Sequence, residues 1–116
     1  MVADDNPDIL DILKMILEVI GGYEVITTAD GESVYDLLGE APDLILLDVW
    51  MSGQNGSEIC KNLKADKKTR DLPLILFSAS KNIQDISRSE GADDFLAKPF
   101  QMDVLLKKVA RLTNKD

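Results

Sequence analysis

Three aspartates, a serine and a lysine stand where short apolar runs break off. Asp4 and Asp5 follow Met1–Ala3, Asp48 follows "LILL", Ser78 follows "LILF", and Lys98 comes just after Phe95–Leu96. Carboxylates that share a site repel one another, and full ionisation is costly unless a cation joins them. Their hard oxygens suit a divalent ion, Mg²⁺ before others, which keeps several waters and takes few protein ligands. With such an ion bound, a carboxylate can act as a nucleophile toward phosphorus and form an aspartyl phosphate. Asp48, ending the most apolar run, is the residue we select. A phosphoryl group there needs more than a metal to neutralise it, and Lys98 offers a point charge and Ser78 a hydroxyl.

Each of these residues has a plainer reading. Asp4 and Asp5 alone are best read as caps of the next helix, Asp48 as a turn residue, and Lys98 before Pro99 as a solvated charge. Only joint placement favours the chemical reading, so the elements that carry these residues decide it. Asn6, Pro7 and Asp8 form an N-cap, a first helical position and an acid at the positive helix end. Ile9, Leu13, Ile16, Leu17 and Ile20 then share one face, and Gly21-Gly22 ends the helix. Tyr23–Thr27 reads as a strand. Asp30-Gly31 turns into a second helix with Val34, Leu37 and Leu38 inward.

The run from Leu44 to Val49 has no polar alternation before Asp48, which suits a strand covered on both faces of a parallel sheet. Met51–Gly56 is a loop with an Asn-Gly pair, followed by a third helix with Ile59 and Leu63 inward. Leu74–Phe77 is a second central strand. Residues 81 to 90 form a polar helix anchored only by Ile83 and Ile86. Phe95-Leu96 is a brief last strand, and the final helix buries Leu105, Val109 and Leu112. Strand and helix alternate five times, which predicts one three-layer α/β domain with a parallel sheet over residues 1–116. Right-handed crossovers bring every strand's C-terminal end to one edge, where open α/β sheets bind ligands.

Composition narrows the chemistry further. There is no histidine, which removes Ser-His-Asp triads, imidazole zinc sites and any role as a phosphohistidine donor. A net charge of -8 without a basic cluster speaks against direct nucleic-acid binding. Lys67, Lys68 and Arg70 read as a solvated loop. The single cysteine, Cys60, reads as a small buried side chain and suits a reducing compartment, so a cytoplasmic location is expected. No apolar stretch reaches membrane-spanning length, and no signal segment begins the chain. Neither a GxGxxG nor a GxxxxGK[ST] pattern occurs, which disfavours those modes of nucleotide binding. Only Met1–Ala3 precede the acidic pair, so the first strand should be short, with residues lost ahead of it or the chain cut from something longer.

"DDNPD" at 4 to 8, "LILLDVWM" at 44 to 51, "LFSAS" at 76 to 80 and "AKPF" at 97 to 100 together resemble the receiver domains of two-component response regulators, of chemotaxis-regulator-like form. Any one motif is weak; four in this order, each at an expected strand end, are specific, and they span nearly the whole chain. The resemblance implies a flavodoxin-like fold, a (βα)5 domain of strand order 2-1-3-4-5. It implies Asp48 as phosphoacceptor, Asp5 as a direct Mg²⁺ ligand, Asp4 as an acid acting through bound water, and Trp50 as donor of a backbone carbonyl to the metal. It further implies that the Ser78 hydroxyl shifts toward the phosphoryl group, that Lys98 pairs with that group, that Phe95 swings inward when Ser78 moves, and that Lys98-Pro99 is cis. Its implied partners are a sensor histidine kinase or a histidine phosphotransfer protein, a downstream protein or fused output domain, and a second copy upon phosphorylation.

The departures are Ser52 in place of a usual proline, serine at 78 in place of the commoner threonine, phenylalanine at 95 in place of tyrosine, and bulky Trp50 beside the acceptor. Ser52 should loosen the loop, and Trp50 could screen Asp48 from water. The expected function is a phosphorylation-controlled switch that promotes its own phosphorylation and slow dephosphorylation rather than a turnover enzyme. Two rivals stay open: a phosphorylation-independent scaffold, and a Mg²⁺-dependent phosphohydrolase. Hydrolases of that kind want a second acid two residues past the nucleophile, where Trp50 stands.

Overall fold

The computed structural model describes residues 1–51, 54–79 and 83–113. Strand β1 (Val2–Ala3) leads into helix α1 (Pro7–Met15), whose last turns widen into a π-helix over Ile16–Ile20. Strand β2 (Thr27–Thr28) is followed by α2 (Gly31–Leu37) and a 3₁₀ turn, Leu38–Glu40. Then come β3 (Ile45–Asp48), α3 (Gly56–Ala65), β4 (Leu74–Ser78), α4 (Ile83–Glu90), β5 (Asp94–Ala97) and α5 (Met102–Thr113). A two-rung antiparallel ribbon, Trp50–Met51 with Gln54–Asn55, lies between β3 and α3. The five strands are parallel in the order β2-β1-β3-β4-β5, the flavodoxin-like arrangement that the motifs implied.

Side-chain alternation in the two apolar runs builds the layers, because successive residues of a strand face opposite sides. Ile45, Leu47, Leu74 and Leu76 pack with Val34, Ile59, Leu63 and Ile83 under α2, α3 and α4. Leu46, Ile75 and Phe77 pack with Leu10, Leu13, Leu105 and Val109 under α1 and α5. Runs without polar alternation are what a sheet covered twice demands. The parallel register then brings the C-terminal ends of β1, β3, β4 and β5 to one edge, Asp48 opposite Phe77 and Ser78 opposite Ala97.

Two elements differ from expectation. The second strand is Thr27–Thr28 rather than Tyr23–Thr27, because its neighbour β1 offers only Val2 and Ala3 for pairing and Gly22, at φ 74°, redirects the chain before it. Ile20 was placed on the inward stripe of the first helix but is 53% exposed. Wider i+5 turns over Ile16–Ile20 rotate it off the 3.6-residue stripe that Leu13 and Leu17 keep. Ile83 is buried and Ile86 half-buried on α4, and Leu105 and Val109 are buried on α5, whereas Leu112, read as buried, is half-buried at the end of that helix. The expected effect of Ser52 falls outside the described residues.

Asn6 ties the first helix to the acidic pair. Its side-chain oxygen accepts from Asp8 N–H at 3.0 Å and Ile9 N–H at 3.4 Å, and its own N–H donates to Asp4 Oδ1 at 2.9 Å. Asn6→Ala should therefore lower stability by about 1 kcal/mol, the usual cost of a lost N-cap. Urea unfolding checks this: the midpoint should fall while the slope stays unchanged.

Candidate functional site

Asp4 is the residue after β1 and Asp48 the last of β3; both are buried, with Asp4 1% and Asp48 5% exposed. Asp5 follows Asp4 and is exposed. Each of the three aspartates presents a carboxylate oxygen, and these oxygens lie within 4.8 Å of one another. Neighbouring strands β1 and β3 create this crowding, since both end at the same level of the sheet. The structure thus brings together the three acids that the sequence placed at one sheet edge.

Lys98 is the cation of the cluster. Its Nζ lies 3.1 Å from Asp4 Oδ2 and 3.5 Å from Asp48 Oδ1, and 4.6 Å from the centre of the Phe77 ring. The backbone places it there: Lys98 N–H donates to Ser78 O at 2.8 Å, extending the β4–β5 ladder by one rung. The Lys98-Pro99 peptide is cis. Both oxygens of Asp4 are engaged, one by Asn6 N–H and the other by Lys98.

Burial raises the Asp48 carboxyl from 3.8 to about 6, and the Asp4 charge adds to the rise. Lys98 and a 3.4 Å hydrogen bond from Trp50 N–H oppose it. Lys98 thus stands against the two buried carboxylates, and a divalent ion bound by oxygen donors is what a cluster of three acids accommodates. Ser78 is 3% exposed, one register step beyond Asp48's partner Phe77. Trp50, 63% exposed, stands in the ribbon just after Asp48. Phe95 is half-buried against the cluster under α4.

One positioning residue went unread in the sequence. A Cβ on Gly56 would lie 1.8 Å from the Asp48 carbonyl oxygen, and Gly56 N–H donates to Val49 O at 2.7 Å. The first turn of α3 therefore rests directly on the backbone that carries Asp48, with Asn55 as its N-cap through Ser57 N–H at 2.9 Å. Its signal was the Asn55-Gly56 pair, which as sequence reads only as a turn. The helix start thus backs the end of β3 at the backbone of Asp48.

The family model described as response regulator receiver domain matches residues 1–110. The chain is 35% identical over 118 residues to the DNA-binding dual master transcriptional regulator RpaA of a Synechocystis strain, covering 99% of this chain and 48% of that protein. It is likewise 35% identical over 117 residues to the transcriptional regulatory protein CpxR of Escherichia coli K12, covering 99% and 49%. The chain thus spans about half the length of these relatives. Among solved structures, the receiver domain of a signal transduction histidine kinase from Syntrophus aciditrophicus superposes with a TM-score of 0.87 at 35% identity, covering 97% of this chain and 87% of that one. The receiver domain of NtrX from Brucella abortus gives 0.86 at 32%, covering 99% and 98%.

The strain at Asp48 has a pH signature. Its folded value near 6 exceeds its unfolded 3.8, so between these values the folded chain binds more protons and stability falls as pH rises. The deficit is complete above about pH 6. In metal-free buffer at pH 7.5, Asp48→Asn should be more stable than wild type by roughly 1–3 kcal/mol, and the gap should close toward pH 4. Chemical denaturation of both proteins across this pH range measures it.

Proposed function

The chain belongs to the response regulator receiver family, and from that premise we propose that Asp48 is the phosphoacceptor of its phosphorylation-controlled switch. The observation that carries this reading is the meeting of Asp4, Asp5 and Asp48 with Lys98 at one end of the parallel sheet. We take residues 1–116 as one such receiver domain. A partner kinase or histidine phosphotransfer protein presents its phosphohistidine at this edge. The Asp48 carboxylate attacks phosphorus in line, the P–N bond breaks, and the imidazole leaves.

Lys98 pairs with the transferred oxygens, and Ser78 donates its hydroxyl to them. Burial at the sheet edge keeps bulk water from dispersing these interactions. Mg²⁺, held by Asp4, Asp5, Asp48 and the Trp50 backbone carbonyl, would add positive charge to that of Lys98. Asp5, the exposed acid, suits a direct ligand. Asp4, with both oxygens already engaged, suits action through an intervening water.

Phosphorylation biases a two-state element. Ser78 and Phe95 are its moving parts, and α4 is held inward by Ile83 and Ile86. The responding surface is α4, β5 and α5, read by a downstream protein, a fused output domain or a second copy. The relatives being transcriptional regulators of about twice this length supports an output partner. A net charge of -8 argues against this segment contacting nucleic acid itself. The buried thiol of Cys60, pushed up to about 12 by burial, and a kinase donor fit the cytoplasm. Trp50, standing where a phosphohydrolase wants a second acid, weighs against that enzyme.

Incubation with acetyl phosphate and Mg²⁺, followed by intact-mass measurement, tests the acceptor. One added phosphoryl group should appear on the wild type and be absent from Asp48→Asn and from EDTA-treated protein. No adduct in the wild type would favour the phosphorylation-independent scaffold, and an adduct that persists in Asp48→Asn would move the acceptor to another residue.

A further inference from the structure

Beside the switch aromatic, β5 carries a second ionic group that plays no part in phosphoryl transfer. The Asp94 carboxylate is nearly buried and accepts from Phe95 N–H at 2.8 Å, from Lys108 Nζ at 2.8 Å, and from the Arg111 guanidinium. Lys108 and Arg111 are three residues apart on α5, so one helix face delivers both cations. The two are not equivalent: Arg111 is mostly solvent-exposed, whereas Lys108 is largely covered. Lys108 Nζ also stands 5.2 Å from the centre of the Phe95 ring, within the range of a cation–π contact. Asp94 thereby fixes an ammonium against the ring of the residue that follows it.

We propose that Lys108 is a positioning residue for the switch: anchored by Asp94, it holds the Phe95 ring in its present place and opposes the ring's movement toward Ser78. The proposal rests on the phosphoacceptor reading of Asp48, because phosphorylation is what draws Phe95 away. The sheet register gives the movement a path. Ala97 is two residues past Phe95 on the same face of β5, is the register partner of Ser78, and carries only a methyl group. A ring leaving Lys108 gives up the cation contact, while the Asp94 ion pairs remain on α5. Lys108 thus links the surface of α5 to the equilibrium at Ser78, and a partner that engages α5 can shift phosphorylation by taking hold of Lys108.

Three variants test this. Lys108→Met keeps the apolar stem and removes the charge, Lys108→Arg restores a cation, and Arg111→Met weakens the ionic group without touching the ring. The readouts are the ¹⁹F resonance of Phe95 in protein labelled with fluorophenylalanine, taken without Mg²⁺, and the affinity for beryllofluoride with Mg²⁺. Lys108→Met should shift the Phe95 resonance and tighten beryllofluoride binding by about two- to five-fold, the weight of a solvent-accessible cation–π contact. Lys108→Arg should return both readouts to wild type, and Arg111→Met should leave the Phe95 resonance in place. A resonance unmoved by Lys108→Met, or moved equally by all three variants, would overturn the proposal. Failure of the wild type to bind beryllofluoride would instead strike the acceptor reading, which the ligand-free resonance does not require.

Discussion

Crowding of like charge at a place that water barely reaches is the constraint around which this molecule is arranged. Asp4 and Asp48 are buried side by side, Asp5 offers a third oxygen, and Lys98 is the cation set among them. Two adjacent like charges are costly when poorly screened, and the Asp48 carboxyl is raised by its burial first and by the Asp4 charge second. A protein built for stability alone would place an amide or a methyl there. Holding acids in this state makes the site responsive, because anything that supplies positive charge or consumes a carboxylate relieves it.

The rest of the fold keeps this strain in place. Parallel pairing of β1 with β3 puts Asp4 and Asp48 at one level, and the rung from Lys98 N–H to Ser78 O sets the lysine beside them. Gly56 lets α3 press against the Asp48 backbone from behind. Asn6 closes the other side, capping α1 and engaging Asp4 with the same residue. The site is thus positioned by backbone contacts more than by side-chain packing.

Much of this was legible before any coordinates. The runs at 44 to 47 and 74 to 77 identified the two central strands because a strand covered on both faces has no polar positions to confuse its reading. The acids at their ends then shared an edge by topology alone. What escaped the sequence depends on partners distant along the chain. The extent of β2 is set by what β1 offers it, and Ile20 is exposed because the helix widens where it does. Gly56 looked like a turn residue until Asp48 was found against it, and Asp94, Lys108 and Arg111 carry no local mark of meeting around Phe95. Residues that act by touching a remote backbone or ring have no spacing rule to reveal them.

The central claim is that the three carboxylates await a divalent cation, and a Mg²⁺ titration followed through Trp50 fluorescence tests it most directly. Trp50 is the only tryptophan and lies two residues from Asp48, so binding at this site should change its emission saturably. The response should be lost in Asp5→Asn and weaken as pH falls through about 6, where Asp48 takes up its proton. A wild-type signal that does not saturate, or one equally strong in Asp5→Asn and independent of pH, would contradict the account.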